Sequence, residues 1–143
     1  MRINTNRWNR LRYTLYANHA DGTYAGVDST HAHYNMPAAF VYAPGLAEKP
    51  VRVTFHPIHN WKIATQLQPT DDPATFTAPN LQYFMDSPVE LSDHTLLEWR
   101  MGPEGAAHYR MALHHTGMRE EAEAYVEMAE EKTELSEPLT AWE

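Results

Sequence analysis

Cysteine is absent from the 143 residues. That excludes a disulfide scaffold, a cysteine-ligated zinc and a cysteine nucleophile together. Long apolar runs are also missing, so no membrane span is expected. The opening MRINTNRWNR has no apolar core of a leader, so no signal peptide is expected in this chain, which favours the cytoplasm. Excess positive charge is lacking too: 19 acids against 11 bases leave a net charge of −8, the wrong sign for binding nucleic acid. What remains is 43% apolar and 21% charged, the composition of an ordinary globular protein. A chain of this size buries roughly 70% of its unfolded surface, enough for a core of its own.

The acidity is concentrated. From Thr116 to Pro138 eight glutamates face only Arg119 and Lys132, whereas the first twenty residues carry four arginines and no acid. Between these ends the period is two. Leu11, Tyr13 and Leu15 alternate with polar neighbours, as do Val51, Val53 and Phe55, then Trp61, Ile63 and Leu67. The same holds for Leu97, Trp99 and Met101 and for Tyr109, Met111 and Leu113. Strand side chains point to opposite faces in turn, so each run predicts a half-buried strand. Residues 38–43 (AAFVYA) are apolar throughout and suit a strand covered on both faces or a short helix. Proline and glycine separate the runs, with no helix among them to make parallel crossovers, which indicates antiparallel pairing.

After Thr116 the period lengthens. Met118, Ala122, Tyr125 and Ala129 mark one helix face, widened by Val126, with Thr116 as N-cap. Glu130, Glu131 and Glu134 stand at the negative end of the helix dipole and should fray it. The glutamates read as a solvated face. The expected class is therefore mainly β: an antiparallel, sandwich-like N-terminal part, then two strands and one C-terminal amphipathic helix. A composition change at Asp86-Ser87-Pro88 divides it into a β-rich unit over 1–85 and a second part over 86–143.

Nine histidines invite a metal reading. His31 and His33 would project from one face of a strand, with Asp28 the nearest carboxylate to complete a set. His56 and His59 flank a turn, and His114-His115 are adjacent. Loop or hydrogen-bonded histidines are the commoner outcome, so the expectation is no metal in this chain, with His31 and His33 as the candidates. No histidine precedes a glutamate, so H-E-x-x-H is missing, as are the nucleophile elbow and the glycine-rich phosphate loops. Ser87, between Asp86 and Pro88, has no local base, His94 being seven residues away. Asp86, Ser87 and Pro88 therefore read as a structural turn, and no catalytic residue is assigned. Trp61 and Trp99 fall on the apolar sides of their strands and read as core rather than as a sugar platform.

In order along the chain, Trp61-Lys62-Ile63-Ala64-Thr65-Gln66-Leu67, Phe76-Thr77-Ala78 and Asp86-Ser87-Pro88-Val89-Glu90 resemble the glycyl aminopeptidase family of zinc metallopeptidases, gluzincins that often carry a PDZ domain. The matching family steps are W-x-V-A-T-x-L, F-x-A and D-S-P-V-E. Tyr34-Asn35-Met36 resembles the family's F-N-G step with methionine for glycine, and His108-Tyr109-Arg110 resembles the strand opening the peptidase domain. The resemblance implies an N-terminal β domain followed, over 86–143, by the start of a thermolysin-like peptidase domain. It implies zinc in the parent enzyme, on residues outside those matched, and a junction role for Asp86, Ser87 and Pro88. The chain alone is then expected to be inactive and to help shape the cleft of a catalytic part, peptide being met only in the parent. An independent β-sandwich binding module without peptidase activity is the alternative. Self-association through the C-terminal helix or the Trp99 strand is expected if that face finds no other cover.

Overall fold

The computed structural model describes residues 10–19, 23–115, 117 and 119–135. Among these residues nine strands and three α-helices follow one another: β1 (Ala25–Val27), β2 (His31–Tyr34), α1 (Met36–Ala39), β3 (Val51–Thr54), β4 (Lys62–Thr65), β5 (Gln68–Pro69), β6 (Thr75–Ala78), α2 (Leu81–Met85), β7 (Val89–Ser92), β8 (Thr95–Met101), β9 (Ala107–Leu113) and α3 (Arg119–Leu135). Every strand pair is antiparallel. A four-stranded sheet runs β1-β2-β7-β4, a three-stranded sheet runs β3-β6-β5, and β8 and β9 form a separate hairpin. The expected class is what the chain adopts: mainly β, with two strands and a helix at the C-terminal end.

The two larger sheets share one core. Ala32, Val89 and Leu91 come from the first, Ala78 from the second, and Met36, Leu67 and Phe84 fill the space among them. This is a sandwich-like arrangement, each sheet turning one alternate set of side chains inward. β7 follows the division expected at 85/86, and it lies between β2 and β4 in the first sheet.

Three local expectations give way. Leu11, Tyr13 and Leu15 form no strand and are exposed, as is Tyr16 on the opposite parity. Among the described residues of this stretch, the backbone contacts to the sheet come from Ala17–His19, which meet the three-residue edge strand β1. Residues 38–43 are not a buried strand. Pro37 in the first turn suits a helix start, α1 covers Met36–Ala39, and Val41 and Tyr42 beyond it are exposed. Helix α3 persists to Leu135, past Glu130, Glu131 and Glu134. Thr116, Met118, Trp8 and Trp142 lie outside the described residues. Trp61 packs beside the core, and Trp99 stacks on Tyr109 with centroids 5.6 Å apart.

At the hairpin turn, Gly102 and Gly105 take φ of 80° and 69°. A side chain at either position would be strained, which is why glycine suits this turn. α3 then lies against β8.

Candidate functional site

In β7 (V-E-L-S) the alternate residues Val89 and Leu91 enter the core, so Glu90 and Ser92 point to the sheet's other face. β2 (H-A-H-Y) does the same: Ala32 goes inward, and His31 and His33 go outward. Register aligns them. His33, Glu90 and Ala64 form one cross-strand row, and His31, Ser92 and Lys62 form the next. The outer face of the four-stranded sheet is thus a polar, titratable surface.

The hairpin covers part of this face and leaves a cleft of about 450 Å³, lined by His33, Glu90 and His94 with His108 and Arg110 of β9. Arg110 Nη2 donates to the carbonyl of Thr65 at 3.2 Å and bridges hairpin and sheet. Lys62 Nζ donates to the His94 carbonyl at 2.6 Å and lies 3.4 Å from Asp93 Oδ1. His94 itself is buried, with Nδ1 3.3 Å from Ser92 Oγ. Burial, then the nearby Lys62 charge, pushes the His94 imidazole below its usual 6.5, against the opposite pull of Glu90 and Asp93.

The candidate histidines part company here. One ligand atom each from His31, Glu90 and His114 lie within 4.8 Å of one another. His33 is not of this trio; its Nδ1 stands 3.6 Å from Glu90 Oε2. Asp28 does not complete a metal set either. Its Oδ1 accepts from Thr30 N, Thr30 Oγ1 and His31 N at 2.6, 2.8 and 3.0 Å, which holds its carboxyl down at about 2. His56 is exposed, and His59 sits against the Trp61 ring. Glu90 and His114 were missed as partners because they are far apart in sequence from His31. The alternation in Val89-Glu90-Leu91-Ser92 was the available signal for Glu90.

Ser87 is fully buried. Its Oγ donates to the Tyr83 carbonyl at 2.6 Å and accepts from Gln66 Nε2 at 3.1 Å. Asp86 ends α2, its N–H bonding the Gln82 carbonyl and its Oδ2 accepting from Gln82 Nε2. Gln66 Nε2 also donates to the Asp86 carbonyl at 2.7 Å, so one side chain after β4 grips the whole turn. Pro88 then leads into β7.

Residues 3–93 match the model of the peptidase M61 N-terminal domain. Among solved structures, an aminopeptidase N family protein from Idiomarina loihiensis is similar in fold, with a TM-score of 0.67 at 19% identity. The likeness covers 80% of this chain and 20% of that one, so this chain spans about a fifth of its neighbour's length. No curated protein matches the chain. No helix among the described residues is long and apolar enough to cross a membrane. With the match running through both sheets and nearly two-thirds of the residues, the chain belongs to the peptidase M61 N-terminal domain family.

Proposed function

We propose that this chain is a non-catalytic N-terminal region of a glycyl-aminopeptidase-like zinc metallopeptidase, and that it helps shape the substrate cleft of the catalytic part. One observation carries the reading: residues 3–93 match the family's N-terminal domain while H-E-x-x-H occurs nowhere in the chain. The family's catalytic zinc thus finds no ligand motif on these residues. In this reading the partner is the remainder of the catalytic domain, and peptide is met only in the assembled parent. A β wall of this kind narrows a cleft, excludes water and holds peptide in place while other residues do the chemistry. The proposed division between 1–85 and 86–143 falls at the end of α2, and β7, hydrogen-bonded to β2 and β4, couples the two parts. Asp86, Ser87 and Pro88 serve there as the structural junction.

The test is an assay of this chain with zinc on a glycyl-anilide substrate. No zinc-dependent turnover is expected; clear turnover abolished by a chelator overturns the reading.

An independent β-sandwich binding module is the second reading. It is favoured by the exposed side chains of Val41, Tyr42 and Leu46 beside a groove of about 360 Å³. Reading the gene past Glu143 separates the two. An in-frame H-E-x-x-H supports the first, and an immediate stop codon supports the second.

A further inference from the structure

Two buried polar atoms of the outer sheet face, His31 Nδ1 and Glu90 Oε1, have no hydrogen-bond partner among the described residues. Leaving a buried imidazole nitrogen or carboxylate oxygen unpaired is costly, so such atoms are rare without a ligand to meet them. They belong to two of the three residues that approach one another around a single point, the third being His114 just beyond β9.

We propose that His31, Glu90 and His114 form a binding site for one divalent transition-metal ion of zinc's class, tying the end of β9 to the four-stranded sheet. This rests on residues of this chain alone and holds whether or not the peptidase reading does. Two imidazoles and one carboxylate form a donor set that suits zinc, whereas calcium and magnesium prefer oxygen alone.

The surroundings orient each ligand. Thr30 has one hydroxyl proton, and it donates that proton to Asp28 Oδ1, which can only accept. Toward His114 Nε2, 3.3 Å away, the same hydroxyl must therefore accept. Nε2 then carries the ring proton of neutral His114, leaving Nδ1 with the lone pair. A second hydrogen bond that sets the tautomer is the usual support of a metal-binding histidine. Glu90 is steadied similarly, its Oε2 facing His33 Nδ1 at 3.6 Å while Oε1 is left over. The rings of His31 and His114 meet edge to face at 4.8 Å.

Ligand atoms around a tetrahedral ion with bonds near 2 Å stand about 3.3 Å apart. The trio must therefore draw together on binding. His114 follows the last residue of β9 and can turn toward the sheet, whereas His31 and Glu90 are fixed by the β2–β7 register. Three protein ligands leave the fourth position to water.

The experiment is titration of the 143-residue chain with zinc ion, followed by calorimetry, melting temperature and histidine-ring NMR. Expected are one zinc per chain and a Tm rise of roughly 9 °C at hundredfold excess over Kd. The ring signals of His31 and His114 should move while those of His56 and His59 stay. His114→Ala, which removes a ligand outside the core, should weaken binding at least tenfold while the rest of the spectrum shows a folded chain. Glu90→Gln, which keeps the shape and removes the charge, should do likewise. Absence of a Tm shift at millimolar zinc overturns the site. So does binding that His114→Ala leaves intact, or binding that His56→Ala abolishes.

Discussion

Ser87 shows how one hydroxyl can hold a turn. It is fully buried, it donates to the Tyr83 carbonyl, and it receives Gln66. Removing the hydroxyl leaves a buried carbonyl short of a donor, so Ser87→Ala should lower stability by about 1–3 kcal/mol in urea denaturation. A change near zero would mean that the turn is held by Gln66 and Asp86 alone. Asp72 is exposed and contributes to acid behaviour. The Thr75 hydroxyl at 2.7 Å, then the Ala74 N–H at 3.0 Å, hold its carboxyl below the usual 3.8, helped by the Arg52 and His56 charges. A carboxyl lowered by folding adds stability that is complete above its unfolded value. That stability is lost as pH falls through the lower folded value. Asp72→Asn should therefore flatten the loss of stability below about pH 4, and identical acid profiles for the two proteins would reject that account. The Asp-Ser-Pro turn was readable from residue types, since Asp and Ser bond nearby backbone and Pro fixes φ. Gln66 as its clamp was not, because it lies twenty residues from Asp86.

Elements differ in how far their own sequence specifies them. β8 and β9 are seven residues each, long enough for a period of two to register in the sequence, so their pattern predicted them, although in burial β8 alternates throughout and β9 only in part. α2 is five residues, too short for any helical period to register. It exists because Asn80 caps it, accepting from the Tyr83 N–H at 2.9 Å, and because Phe84 is driven into the core against the edge of Phe40, 5.1 Å away. Phe84→Ala should cost about 3–5 kcal/mol in denaturant unfolding, the range for emptying a packed aromatic site. A loss below about 1 kcal/mol would show that α2 is anchored by its cap rather than its ring. The apparent strand at Leu11–Leu15 errs the other way. Its alternation is genuine, but these residues pair with no strand, and period alone cannot supply a partner.

At the scale of the molecule, apolar side chains remain uncovered on the C-terminal part: Leu96 and Tyr109 on the hairpin, Tyr125 and Met128 on α3. Self-association through these surfaces is the expected outcome, seen as an apparent mass that climbs with concentration in sedimentation equilibrium. A mass fixed at 16.4 kDa up to high concentration would refute it.

By itself the sequence determined the mainly β character, the hairpin and helix at the C-terminal end, the Asp-Ser-Pro turn and the family, because each is written in neighbouring residues or in ordered local motifs. Only the tertiary structure decided that Glu90 rather than Asp28 brings a carboxylate to the ring of His31, that His114 arrives from the end of β9, and that a polar cleft separates sheet and hairpin. Strand register and the crossing of distant elements make those meetings, and they depend on pairing energies summed over the whole core, which no local window contains.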